Sequence, residues 1–130
     1  MLTARYWTRL APTQWRVRAC QCGFCRIHAA LTTSDPAGSL QFACVDPRHL
    51  QRYRFASGAT DFLLCRQCGV YLGARIGSAE HAFGVLNVRT LPAGRMDLPE
   101  AIPMDYAAET PQARRARREA RWTPLAPGSL

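Results

Sequence analysis

"CQCGFC", residues 20 to 25, places three cysteines at a one-residue and then a two-residue gap. A structural zinc site usually takes four protein ligands; a catalytic one takes three and keeps a position open. Whether a fourth ligand exists elsewhere in the chain therefore decides how this stretch is built into a fold. Further on, "CRQC" at 65 to 68 offers two more sulfurs. Five thiols are too many for one tetrahedral site and too few for two closed ones. Two arrangements follow. Cys22, Cys25, Cys65 and Cys68 could close a single ribbon-like site, leaving Cys20 over. Alternatively Cys20, Cys22 and Cys25 form an open three-thiolate site, and Cys65 and Cys68 belong to a second site whose other ligands are absent. His28, three residues past Cys25, is a candidate to close the first cluster. Spacing alone does not choose.

The case for metal rests on the two clusters together. Zinc favours soft thiolates, and a CxxC turn lets two sulfurs reach one ion. Gly69, directly after Cys68, fits such a turn because the position often requires a positive φ. A redox pair would be expected beside a βαβ pattern, which neither cluster has. Cys44 stands alone inside a strand-like stretch and reads as a small buried hydrophobe. His49 and His81 sit beside turns without a sequence partner, and neither is assigned a role.

The chain around these clusters is that of a folded domain. Its 130 residues suffice for one domain with a modest core. Hydrophobic residues make up 48% and charged ones 20%, which excludes a disordered chain. No apolar run approaches a membrane span, and "MLTARYWTRLAP" does not resemble a signal peptide. The expected compartment is the cytoplasm, where thiols stay reduced and clustered cysteines serve metals more than disulfides. The net charge of +8 raises the question of nucleic acid. All 17 basic residues are Arg, however, as a GC-rich codon bias would give, and residues 113 to 130 alone hold five of them against Glu119, a net +4. A solvated helix face accounts for that excess.

Hydrophobic periodicity predicts a strand-dominated domain. "QWRVRA" (14–19) alternates into the first cysteines, and "LQFACV" (40–45) alternates between turn signals. "RYRF" (52–55) and "TDFLL" (60–64) flank Gly58 as a hairpin, followed by "VYLGARI" (70–76) and "HAFGVLNVRT" (81–90). Four prolines between 92 and 111 predict an extended crossing. Thr110 then reads as an N-cap, Pro111 as the first helical residue, and "PQARRARREARW" as one helix. Its apolar stripe is Ala113, Ala116, Ala120 and Trp122, with Trp122 as the docking anchor.

"RACQCGFCRIH", "RYRF", "DFLLCRQCGVYL" and "GVLNVRTL", in that order and spacing, resemble the glutathione-dependent formaldehyde-activating enzyme family, which shares its domain with centromere protein V. The resemblance covers residues 15 to 91, and the tail "MDYAAETPQARRARREARW" resembles the extension of a bacterial branch. It implies a mainly β fold, a small zinc-binding β-tent domain with a C-terminal helix. Residues 1–91 would be the zinc-binding part, its first strand truncated, and 92–130 the crossing and Arg-rich helix packed on the same domain. It also implies a zinc held by Cys20, Cys22 and Cys25 with an open position, these being the catalytic residues. A second, structural zinc would use Cys65 and Cys68 plus a CxCG on the first strand. No cysteine precedes Cys20 here, so the expectation is that the chain begins after that motif and the second site is incomplete.

The implied chemistry is that of a carbon–sulfur lyase. Zinc takes an exogenous thiolate at its open position and lowers the thiol's pKa. The family's thiol is glutathione, whose adduct with formaldehyde is S-hydroxymethylglutathione. Arg26 and Arg66, beside the clusters, are the candidates to bind glutathione's carboxylates through bidentate hydrogen bonds. The partners are then a small thiol and an aldehyde, with neither membrane nor nucleic acid. The rival reading is a non-catalytic zinc module that binds a protein or nucleic acid through the arginine helix. The sequence lacks the interleaved aromatic and basic residues that single-strand binders use.

Overall fold

The computed structural model describes residues 2–55, 58–92 and 97–130. The expected class is what it contains: a mainly β architecture of two sheets with a cysteine cluster at one end of the larger. Strands β1 (Leu2–Trp7) and β4 (Ser39–Cys44) form a two-stranded antiparallel sheet. The larger sheet runs in the order β5 (Leu50–Tyr53), β6 (Asp61–Cys65), β7 (Tyr71–Gly77), β8 (Ala82–Asn87), β3 (Thr32–Thr33), β2 (Arg18–Cys20) and β9 (Ile102–Met104). A short strand β10 (Thr123–Pro124) adds to β8. Helix α1 (Gly23–Ile27) holds part of the cysteine motif, and α2 (Pro111–Arg121) is the arginine helix. Neither is long and apolar enough to cross a membrane.

Period-two alternation assigns the two faces of the large sheet. On one face Leu63, Leu72 and Leu86 pack with Leu2, Leu40 and Phe42 of the smaller sheet. On the other, Phe62, Tyr71, Ala74 and Val85 gather with Cys25 and Trp122. Adjacent residues thus serve opposite clusters: Phe62 and Leu63, Tyr71 and Leu72, Val85 and Leu86. The inter-sheet layer is tight. Leu40, Phe42 and Leu63 are wholly buried, and a Cβ on Gly73 would collide with the Val85 carbonyl and the Phe42 ring. Truncating a buried Phe such as Phe42 to Ala costs about 3–5 kcal/mol.

Several elements depart from their sequence reading. The stretch 14–19 joins a sheet only from Arg18. Before it a 3-10 turn at Pro12–Gln14 is fixed by the Ala11 N–H donating to the Gln14 side chain at 2.9 Å. Trp15 and Val17 are nonetheless buried, in a third cluster with Val88. The proline-rich crossing contains regular structure: β9 pairs in parallel with β2, Arg18 opposite Ile102 and Cys20 opposite Met104. Its stretch 93–96 lies outside the described residues. Strand β1, whose bounds the sequence reading did not give, is six residues long and pairs along its whole length with β4. Its signal was the alternation of Leu2, Ala4 and Tyr6, which burial follows.

The hairpin of β5 and β6 forms as expected, Tyr53 opposite Phe62. Helix α2 also begins as read: the Ala113 N–H donates to the Thr110 hydroxyl at 3.1 Å, and Pro111 is the first helical residue. After α2 the tail stitches the two sheets together. Leu125 donates to the Ala82 carbonyl on one sheet, while Ala126 and Leu130 donate to the Leu40 and Phe42 carbonyls on the other.

Candidate metal centre

The motif at 20–25 folds into three adjoining positions. Cys20 ends β2, Cys22 is the N-cap of α1, and Cys25 lies in its first turn. That geometry follows from the sequence: as N-cap, Cys22 accepts the Cys25 N–H on its sulfur at 3.4 Å. All three sulfurs lie within 4.8 Å of one another. Among the described residues no other cysteine, histidine or carboxylate joins them. The ring of His28, at the C-cap of α1, instead lies 4.4 Å from that of Phe24, tilted against it, and 5.9 Å from Tyr71.

The cluster's protons are shared unequally. Hydrogen bonds from Cys20 and then Cys25 pull Cys22 far below the usual thiol range. The same contacts push Cys25 and Cys20 up, Cys25 chiefly through Cys20. Three sulfurs this close together are a donor set that fits a thiophilic cation such as zinc. Burial pushes the Tyr71 phenol up, and the neighbouring cysteines add to that.

The second cluster is separate. Cys65 closes β6 and is buried, whereas Cys68 is exposed. A tight turn joins them, with the Gly69 N–H donating to the Cys65 carbonyl at 2.8 Å and Gly69 at φ 74°. Cys65 is pulled down to about 7, first by the Cys68 backbone N–H and also by those of Gln67 and Leu2. Cys65 and Cys68 thus make a preformed pair, but no third ligand group joins them among the described residues. A single ribbon-like site of Cys22, Cys25, Cys65 and Cys68 is not what the chain builds. β6 carries Cys65 to the inter-sheet cluster, while Cys20, Cys22 and Cys25 pack at the opposite face. Cys44 is half-buried at the edge of the inter-sheet cluster, and its thiol donates to the Asp46 carbonyl. His49 lies 3.9 Å from the Asp46 carboxylate, and the His81 ring meets Phe83 edge-on.

The cysteines open into a cleft beneath α2. A narrow inner part is lined by Arg18, Cys20, Cys25, Tyr71 and Trp122. An outer part of about 270 Å³ is lined by Cys22, Thr60, Asp105, Arg114 and Ala107, among others. Phe62, Tyr106, Arg117 and Arg118 line both. A larger groove of about 660 Å³ follows β1 past Trp7 and Trp15, but no cysteine, histidine or acid lines it.

Arg26 and Arg66, the arginines singled out by their nearness in sequence, line neither part of the cleft. Arg26 is exposed on α1, and Arg66 is exposed at the second cluster, its Nε donating to the Leu50 carbonyl at 3.2 Å. The cleft takes its positive charge from Arg18 on β2 and from Arg114, Arg117 and Arg118 on α2. The row i, i+3, i+4 within "RRARR" was the signal that could have shown it. The alanines read as the docking stripe are exposed, and the inward face is the arginine row with Trp122 behind it. Arg117 forks onto Glu109 at 2.8 and 3.0 Å and lies 3.6 Å above the Tyr106 ring. The hydrogen bond from Arg117 holds the Glu109 carboxyl below its ordinary range.

No family model matches this chain, and a comparison with curated proteins finds no match. A crystal structure of a Rhodobacter sphaeroides protein from a structural genomics programme is similar, with a TM-score of 0.56. The two share 23% identity over 79% of this chain and 90% of the other. That likeness supports the fold and says nothing of activity.

Proposed function

We propose that the chain is a zinc-dependent enzyme of the carbon–sulfur lyase type, acting on the adduct of a thiol and an aldehyde such as S-hydroxymethylglutathione. The observation that carries this reading is the set of three converging sulfurs, joined by no fourth ligand among the described residues and facing a cleft. Cys20, Cys22 and Cys25 would hold the ion. Zinc, when bound, offers its remaining position to an exogenous thiol and lowers that thiol's pKa.

The reaction needs little more than placement. The thiol sulfur bonds to the aldehyde carbon as the carbonyl π pair moves to oxygen, and the proton lost from sulfur ends on that oxygen. The reverse breaks the C–S bond and returns the proton to sulfur. Phe62 and Tyr71 line the inner cleft with aromatic surface. Bringing thiol and aldehyde together in one orientation supplies the main advantage over the free reaction.

Cobalt in place of zinc tests the reading, since a fourth thiolate changes its visible and charge-transfer absorption. Glutathione is expected to produce that change near neutral pH in the unaltered protein and in His28→Ala alike. Exchange spectroscopy should show the metal-loaded protein accelerating interconversion of formaldehyde, glutathione and their adduct. A spectrum that glutathione leaves untouched would overturn the reading.

A further inference from the structure

Helix α2 places three arginines against a cleft that also contains the Cys22 wall, and their partners do not balance them. Arg117 is committed to Glu109. Arg114 reaches the same carboxylate only at 3.8 Å, its Nη2 donating to the neutral Glu109 carbonyl at 3.5 Å. Arg118 donates through Nη1 to the Thr60 hydroxyl, a neutral acceptor, and its Nε is buried with no hydrogen-bond partner. Asp105 also lines the cleft, and its carboxylate accepts the Ala107 N–H at 2.9 Å. An arginine keeps its charge even when buried, and a buried donor without an acceptor is costly. The arrangement has the form of an oxyanion site awaiting its anion.

We propose that Arg114 and Arg118 form a carboxylate-binding subsite that selects an anionic thiol and directs its sulfur toward the cysteine cluster. This deepens, and rests on, the open-metal reading above. Their spacing of one helical turn puts both guanidinium groups on the same face of α2. The planar fork of an arginine matches a carboxylate. The outer cleft, at about 270 Å³, falls just below the usual small-molecule range of roughly 300–1,000 Å³. It therefore suits the acidic end of a small ligand whose thiol reaches the cysteines that line the same cleft. Three thiolates around a divalent ion carry a net negative charge, so the metal site itself does not attract an anion. The α2 arginines supply that attraction.

The test uses the full chain loaded with cobalt, titrated with 3-mercaptopropionate and with 2-mercaptoethanol, reading the sulfur-to-cobalt band. The anionic thiol should bind about tenfold more tightly, as one charge-assisted hydrogen-bond pair provides. Arg118→Gln and, separately, Arg114→Gln should reduce that preference to under about threefold, leave 2-mercaptoethanol unchanged, and keep the wild-type circular dichroism. Equal affinities in the wild type, or a preference that survives both substitutions, would overturn the subsite while leaving the open metal position intact. S-methylglutathione, which keeps the carboxylates and cannot donate a thiolate, separates the two claims by calorimetry on the same proteins. If thiols leave the cobalt band unchanged but S-methylglutathione binds in an arginine-dependent way, the open-position reading fails and the subsite stands. If S-methylglutathione does not bind either, both fall.

Discussion

The guanidinium of Arg118 lies 5.0 Å from the ring centre of Trp122 and reaches across to the hydroxyl of Thr60 on the opposite side of the cleft. Trp122 is buried among Cys25, Phe62, Ala74 and Val85, so one aromatic residue anchors the helix and backs the arginine that faces the metal cluster. Trp122→Ala should cost about 3 kcal/mol of stability. It should also weaken glutathione-induced changes in the cobalt spectrum, because α2 loses its seat. Denaturant melts and the cobalt titration on one sample check both effects, and stability loss without a spectral effect would show that α2 does not need this anchor.

Cys22→Ser should strip the ion from the first cluster, since its ligands all come from one turn and its flanks. Cys65→Ser should leave that ion bound. Zinc counted per chain after dialysis decides it. Loss of that zinc from Cys65→Ser as well would show that the clusters depend on each other.

Asp61 meets Arg52 at 3.1 Å, Arg75 at 3.9 Å and also Arg54. Burial alone would raise its pKa, but the hydrogen bond and charge of Arg54, then the charge of Arg52, outweigh that and lower it. A carboxyl lowered on folding adds stability above its unfolded pKa of about 3.9, and that stability is lost as pH falls through the folded value. Asp61→Asn should therefore destabilise by about 1–3 kcal/mol at neutral pH, with the gap from wild type closing as pH falls below about 3.9. Urea melts across that range measure it. A gap independent of pH would mean that the residue acts through packing and not charge.

Gly69 carries the positive φ of 74° that lets the Cys65–Cys68 turn close. No atom lies within 4 Å of a Cβ built there, so the penalty for substitution is conformational and not steric crowding. Gly69→Ala should cost about 1 kcal/mol, and Gly69→Val more, because a branched residue tolerates that region less well. Thermal melts of the pair give the ordering; equal melting temperatures would contradict it.

Nucleic-acid binding by α2 should be weak. Arg114, Arg117 and Arg118 turn inward, and Arg115 pairs with Glu119 at 2.9 Å, which leaves little outward charge on the helix. Fluorescence anisotropy with labelled DNA and RNA at about 50 and 200 mM salt should show no steep salt-dependent binding. Tight binding lost on replacing Arg115 and Arg121 would instead favour the non-catalytic module.

The sequence by itself determined whatever is closed over a few residues. The spacing in "CQCGFC" brings three sulfurs within 4.8 Å because a strand end, a cap and one helical turn are local geometry. Thr110 caps α2 and Gly69 takes a positive φ for the same short-range reason. Tertiary structure alone decided the rest. The two cysteine clusters could share an ion as far as spacing goes, and the sheet separates them by packing Cys65 on one face and Cys25 on the other. Helical periodicity offered an alanine stripe and an arginine row; α2 presents the arginines, because Thr60 and Glu109 give them partners while Trp122 buries the apolar surface. Arg26 and Arg66 were near the cysteines in sequence, yet the arginines at the cleft come from β2 and α2. A helix's own sequence sets its faces, but the surface it packs against determines which face turns inward.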